Sequence, residues 1–293
     1  MPKFFIPGDS DDPLYSLHRD QPDFEKRKKI IESAWEKYLP YCGDSPEQFI
    51  NEAKKNFIGQ TWHLFLANYF LVNGFNLLKT DKRGPDLCLE IEGSKFWIEV
   101  VGSSKGTGKD RAPDYTNVSG YIPVVDTRIQ LRLANSFITK YAKIAQYIDL
   151  GIIGPADYCF IGINSFEVDL SFFSPGYSYM FRTLFGLGEE YLETDRTKAM
   201  KRIGVKKVGK IQKNSMKYVD VGFFEKPEFK RLDGVFFYPK DPMGIRKNFR
   251  EGIELTQNPL RMSKIPENVS KCFNSWLYED DLMKFHALED KQN

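Results

Sequence analysis

Gly84-Pro85-Asp86-Leu87-Cys88-Leu89-Glu90-Ile91-Glu92-Gly93-Ser94-Lys95-Phe96-Trp97-Ile98-Glu99-Val100-Val101 is the stretch on which the fold turns. Two short β-like runs, residues 86–91 and 95–101, flank the tight-turn sequence Glu92-Gly93-Ser94 and predict an antiparallel hairpin. In such a hairpin the residue opening one strand lies opposite a residue near the end of the next. Asp86 and Glu99 therefore come together at one end of the sheet. Glu99 also interrupts a run that otherwise reads as a buried strand, where an acid is costly unless it is paired or metal-bound. Two hard oxygen ligands, with the Val100 carbonyl between them, suit Mg²⁺ or Mn²⁺. The plainer reading makes Asp86 a turn residue after Pro85 and puts Glu99 on an exposed strand face. The ordered combination of Gly-Pro-Asp, hairpin and Ile-Glu-Val favours the site.

Working outward, Phe75-Asn76-Leu77-Leu78 predicts a strand before the hairpin. Residues 1–21, with several Pro, Gly and Asp, read as an irregular arm. Phe24, Ile30, Ile31, Ala34, Trp35 and Tyr38 recur at near-helical spacing and predict an amphipathic helix over residues 23–38. Ser45-Pro46 is a helix start, and Asn73-Gly74 a stop. A helix over residues 46–72 follows, with Gly59 as a kink or division. Beyond the hairpin, residues 102–126 read as a loop and residues 127–150 as a long helix ending at Gly151. Tyr158-Cys159-Phe160-Ile161-Gly162-Ile163-Asn164 reads as a buried strand. Helix, three strands, helix, strand is an α/β arrangement with a mixed sheet. After residue 171 the expected elements are an aromatic stretch (Phe172, Phe173, Tyr177, Tyr179, Phe181), a basic segment, a strand at 234–238 and a helix over 267–286. The expected division is an arm and helix at 1–45, a core at 46–170 and an α+β extension at 171–293.

Composition narrows the function classes. With 41% hydrophobic and 28% charged residues, the chain has the profile of a soluble globular protein. No stretch approaches the roughly 20 apolar residues needed to cross a bilayer, so no membrane partner is expected. The first eight residues lack the apolar region of a secretory leader. Four scattered cysteines with no CxxC pair suggest neither a zinc cluster nor a disulfide framework. The expected setting is intracellular and cytoplasmic.

The succession Gly84-Pro85-Asp86, then Trp97-Ile98-Glu99-Val100-Val101, resembles the PD-(D/E)xK phosphodiesterase superfamily, to which many restriction endonucleases belong. The likeness covers about residues 60–164. It implies a restriction endonuclease-like core, a mixed sheet flanked by helices, and Mg²⁺-dependent hydrolysis of DNA. In that family the aspartate and glutamate hold metal while a lysine activates or orients water, and many members work as dimers. A homodimer is therefore compatible with the resemblance. The family lysine stands two residues beyond the glutamate, where this chain has Val101. Two replacements are available: Lys105 in the Gly102-Ser103-Ser104-Lys105-Gly106 loop, and Lys140 in the following helix. Arg132, Ser136 and Lys140 recur every four residues as one polar stripe, and a helix fixes direction better than a glycine-flanked loop, so Lys140 is preferred. The acidic position of the family's first core helix corresponds to His63. Glu52, ~16 Å earlier on the same helix, cannot substitute. His63 is either a ligand for metal-bound water or phosphate, or a hydrogen-bonded histidine beside the core.

Between residues 198 and 217 stand Lys198, Lys201, Arg202, Lys206, Lys207, Lys210, Lys213 and Lys217 with no acid among them. Such a block is either a solvated loop or a contact for phosphates. Beside a nuclease-like core, a nucleic-acid contact through Lys201, Arg202, Lys206, Lys207, Lys210 and Lys213 is the expectation. Residues 102–108 lack the spacing of a Walker A loop. The leading expectation is a metal-dependent nuclease acting on DNA. The alternative is an inactive nuclease-like module that binds nucleic acid or a protein.

Overall fold

The structure, a computed structural model, describes residues 2–81, 83–113, 126–168, 177–195, 198–242, 252–261, 264–279 and 284–287 (backbone alone at 126, 189–195, 198–205, 275–279 and 284–287). The loop expected at 102–126, and Phe172 and Phe173, lie partly or wholly outside these residues.

The first helix, α1 (Pro13–Asp20), occupies what the sequence presents as an irregular arm. Asp12 accepts the Leu14 N–H at 2.9 Å, and Pro13 takes the first helical position. The residues that read as breakers thus begin a helix, because proline needs no partner for a missing N–H there. The second Asp12 oxygen accepts the Phe57 N–H at 2.7 Å. Helix α2 (Glu25–Tyr38) buries Ile31, Ala34, Trp35 and Tyr38, the stripe expected of it. The single helix expected over 46–72 is two, α3 (Pro46–Ala53) and α4 (Phe57–Val72). The break precedes Gly59, because Asn56 accepts the Gly59 N–H at 3.0 Å and caps a new helix.

Strands β1 (Asn76–Leu78), β2 (Leu87–Ile91) and β3 (Ser94–Gly102) follow. Glu92 (φ 52°) and Gly93 (φ 79°) both take the left-handed conformation that a two-residue hairpin turn requires. Next come α5 (Asp126–Asp149), β4 (Tyr158–Asn164), α6 (Tyr179–Leu184) and two strand pairs, β5 (Leu187–Asp195) with β6 (Lys198–Lys207) and β7 (Lys210–Gln212) with β8 (Tyr218–Asp220). The chain continues through β9 (Gly234–Tyr238), β10 (Glu254–Gln257), α7 (Glu267–Ser270), β11 (Asn274–Glu279) and β12 (Lys284–Ala287). The main sheet runs β1-β2-β3-β4-β9-β10-β11-β12. It is mixed, since β3–β4, β4–β9 and β10–β11 are parallel pairs and the rest antiparallel. The helix expected over 267–286 is overturned after one turn. Phe273 is buried against Tyr69, Phe70 and Phe236, and the chain beyond it pairs with β10, so sheet pairing captures a segment whose Trp276-Leu277-Tyr278 suits a strand.

Helices lie on both faces of the sheet. Helices α1 to α4 cover Leu87, Leu89, Phe96, Ile98, Val100, Phe160 and Phe236. Helices α5 and α6, with Phe223 and Phe224, cover Cys88, Trp97, Cys159, Ile161, Ile163 and Phe237. Alternate residues of β3 thus enter different cores. Helix α4 is held on the sheet by Trp62, whose Nε1 donates to the Gly162 carbonyl at 3.1 Å. At the end of β3, Gly102 meets the same helix so closely that a Cβ there would stand 2.9 Å from the Gly59 Cα. Gly102→Ala is expected to push α4 off the strand and destabilise the protein by about 1–3 kcal/mol in urea unfolding. An unchanged midpoint would show that the approach is not tight. Among the described residues no helix is long and apolar enough to cross a membrane.

Candidate active site

The pairing Leu87↔Ile98, extended by one residue, sets Asp86 directly across from Glu99. Alternation puts Glu99 on the Trp97 face of β3 and Asp86 on the Cys88 face of β2, both toward α5. Helix α5 answers with Lys140, whose Nζ donates to Glu99 Oε2 at 2.7 Å and to Asp86 Oδ2 at 3.3 Å. Glu99 is 1% exposed, Lys140 13% and Asp86 31%, so the site opens to solvent through the aspartate. Asp86 Oδ2 also accepts the Val100 N–H at 2.6 Å. A strand residue's N–H and C=O project to the same edge. The Val100 carbonyl therefore faces the side where β2 has ended.

The two carboxyl groups are driven apart in acidity. Burial, then the Asp86 charge and its hydrogen bond, raise Glu99 above the ordinary carboxylate range, and Lys140 only partly offsets them. Burial works the same way on Asp86, but the Lys140 ammonium, the hydrogen bond from Glu99 and the Val100 N–H outweigh it and hold Asp86 low. The two groups are therefore strongly unequal acids, with Glu99 the weaker. Lys140 stays charged: burial disfavours its ammonium, yet the two acids raise its pKa above the ordinary lysine value.

The other expected site residues fall differently. His63, on α4, is buried among Tyr38 and Phe49, with ring centroids at 5.0 and 5.3 Å. Burial lowers it to about 4, against the pull of Asp86, so it is neutral. Its Nε2 is buried without a hydrogen-bond partner among the described residues. Lys105 gives its carbonyl to the Ala112 N–H at 2.9 Å, and its charge acts on Glu167. The contact with both carboxylates is made by Lys140. Val101, two residues beyond Glu99, packs against the α5-side core.

Two residues escaped the sequence reading. Tyr147 donates its hydroxyl to Glu99 Oε1 at 3.1 Å, and Lys143 Nζ lies 3.6 Å from the same oxygen. The sequence carries a signal for both: Lys140, Lys143 and Tyr147 stand at i, i+3 and i+7 and share one helix face. The stripe Arg132, Ser136, Lys140 does face the end of β3. Ser136 and Ser103 hydroxyls bond at 2.8 Å, and Arg132 Nε donates to the Ser104 carbonyl at 2.8 Å.

The basic block falls on β6, β7 and the turn that follows β7. Its partner strand β5 is acidic, and the register sets Arg202 opposite Glu193 and Lys198 opposite Asp195. Acids absent from the block in sequence thus stand across from it in space. Lys207 donates to the Phe185 carbonyl and pairs with Glu225. Lys206 and Lys210 are exposed, and Lys213 is half-buried. The side chains of Lys201 and Arg202 lie outside the described part. Tyr177, Tyr179 and Phe181 are core, Phe181 stacking on Tyr177 and packing against Phe185.

No protein-family model, curated protein or solved structure matches this chain. Among the described residues no group of three or more His, Cys, Asp or Glu side chains comes together to hold a metal ion. That excludes from the described residues the all-protein cage of a structural zinc. Two carboxylates and a backbone carbonyl match the donor set of Mg²⁺, which keeps waters and substrate phosphates in its remaining positions.

Proposed function

We propose that this protein is a metal-dependent nuclease with a restriction endonuclease-like core, hydrolysing phosphodiester bonds in DNA. The observation that carries the proposal is the ammonium of Lys140, held from α5 against both Asp86 and Glu99. The resemblance calls for a lysine at this place, and the strand supplies only Val101. Asp86, Glu99 and the Val100 carbonyl would hold Mg²⁺ or Mn²⁺, an ion that polarises a phosphodiester and lowers the pKa of water.

The chain's own groups have distinct tasks. Lys140 places positive charge beside the carboxylates, where negative charge grows on the attacked phosphate. Tyr147 fixes the rotation of the Glu99 carboxylate by holding Oε1. His63, kept neutral by burial, has Nε2 without a hydrogen-bond partner among the described residues, in reach of a buried water alone.

The test is incubation with plasmid and single-stranded substrates in Mg²⁺ or Mn²⁺, with a chelator as control. Asp86→Asn is expected to cut at least about a thousandfold more slowly, a loss of some 4 kcal/mol of transition-state stabilisation. Equal trace activity in wild type and Asp86→Asn would sink the catalytic reading.

A second reading is a nucleic-acid-binding module that does not cut. The observation favouring it is Val101 packed in the core where the family's lysine belongs. It predicts salt-sensitive binding that survives Asp86→Asn and Glu99→Gln.

A further inference from the structure

Strands β7 and β8 bury Ile211 and Val219 in the core beneath α5, so Lys210, Gln212, Tyr218 and Asp220 face outward. Gln212 and Tyr218 are cross-strand partners. The turn between them closes with the Lys213 N–H donating to the Lys217 carbonyl at 2.7 Å, and the Gln212 amide reaches Met216 Sδ at 3.5 Å. Tyr218 is 62% exposed and Met216 72%. A lone exposed apolar residue means little. Here a ring and a thioether share one tip, within a segment carrying Lys206, Lys210, Lys213 and Lys217. Asp220, the acid on this face, is paired with Lys226 at 3.3 Å.

The tip is also tied toward the candidate active site. Asn214 donates through its backbone N and through Nδ2 to Asp110 Oδ1, each at 2.8 Å. Asp110 belongs to the segment that continues from β3 through Ser103 and Ser104, the residues held by Ser136 and Arg132 of α5. The polar stripe from Lys140 to Arg132 spans ~12 Å along the helix. It leads from the carboxylates to the segment on which the hairpin is anchored.

A positive surface carrying an exposed aromatic ring fits a polyanion that presents flat, unpaired faces. A duplex stacks its base faces inside and offers phosphates and groove edges, whereas a single strand offers phosphates and open base faces. We propose that the turn at residues 213–218 is a single-strand contact, with a base stacked on Tyr218 and neighbouring phosphates taken by Lys210, Lys213 and Lys217. This rests on the nucleic-acid reading above and names its substrate class: single-stranded nucleic acid, or a duplex opened locally.

The full chain can be tested without metal, so that cutting plays no part. Fluorescence anisotropy in a chelating buffer would compare a labelled oligothymidylate with a blunt duplex of equal length. Tyr218→Ala is expected to weaken single-strand binding about tenfold and leave duplex binding unchanged. Tyr218→Phe keeps the ring and is expected to bind as wild type. The double variant Lys213→Gln, Lys217→Gln should weaken both substrates and flatten the salt dependence. The proposal is overturned if Tyr218→Ala binds the single strand normally, if it weakens both substrates equally, or if Tyr218→Phe loses affinity too. A protein that cuts with Mg²⁺ but ignores Tyr218→Ala refutes this contact alone. One that needs Tyr218 to bind but never cuts refutes the nuclease reading alone.

Discussion

Lys140→Met is expected to yield a folded protein that lacks the proposed activity and is about 3 kcal/mol less stable near pH 8, with a smaller loss near about pH 5. The physical reason is the buried Glu99. Without the ammonium, its carboxylate retains Tyr147 and the half-exposed Lys143, both on Oε1. Glu99 has its folded pKa raised above the unfolded value, so at low pH it is neutral and needs no cation. As pH rises through that raised value, the wild-type chain has Lys140 to meet the charge and the variant does not. Asp86 adds an equal loss at both pH values. Its folded pKa is depressed, so it contributes stability above its unfolded value that is lost as pH falls. Lys140 is the largest influence holding it down, and since both pH values lie above the unfolded value, the variant forfeits that contribution at each. Urea unfolding at the two pH values reads the difference. A loss below ~1 kcal/mol at both would mean that the carboxylates do not depend on this lysine, and a larger one equal at both would take Glu99 out of that dependence.

Glu99→Gln addresses the proposed metal. In wild type, Mn²⁺ binding should strengthen with pH across the range above ordinary carboxylate values, because Glu99 must release its proton to become a ligand. Calorimetry in two buffers of different ionisation enthalpy would detect that proton leaving. In Glu99→Gln the proton release should vanish, the affinity should fall at least about tenfold, and cleavage should fall about a thousandfold. The fold should survive, since the amide is isosteric and Lys140 keeps Asp86. A glutamine variant with the same affinity and the same pH dependence would remove Glu99 from the metal site.

The hairpin was legible because both of its determinants are local. Glu92-Gly93 adopts the turn demanded by two successive positive φ angles, and the pairing follows from that turn. The burial of Glu99 was legible for a related reason: strand alternation places it among residues that can only face a core. Misread segments share a different feature. Residues 13–20 read as part of an arm because Asp12-Pro13 can end or begin a structure, and the choice depends on Phe57, far along the chain, which fixes the Asp12 side chain. Residues 267–286 read as a helix because their pairing partner, β10, is itself set by β9 and β4.

The lysine shows the same boundary at the candidate site. Sequence alone offered Lys105 and Lys140 and preferred Lys140 on the argument that a helix fixes direction. It could not supply the height of α5 above the sheet, which brings Nζ within hydrogen-bonding distance of both acids. Nor could it pair the basic strand with the acidic one before it, since charges in separate runs meet only when the register is set. By itself, then, the sequence determined the Asp86–Glu99 hairpin and the faces of its strands, because turn geometry and alternation act over neighbouring residues. Which lysine meets the carboxylates, which acids stand opposite the basic block and which aromatic ring is left facing water were decided only by tertiary packing. Each depends on distances between elements that no local rule contains.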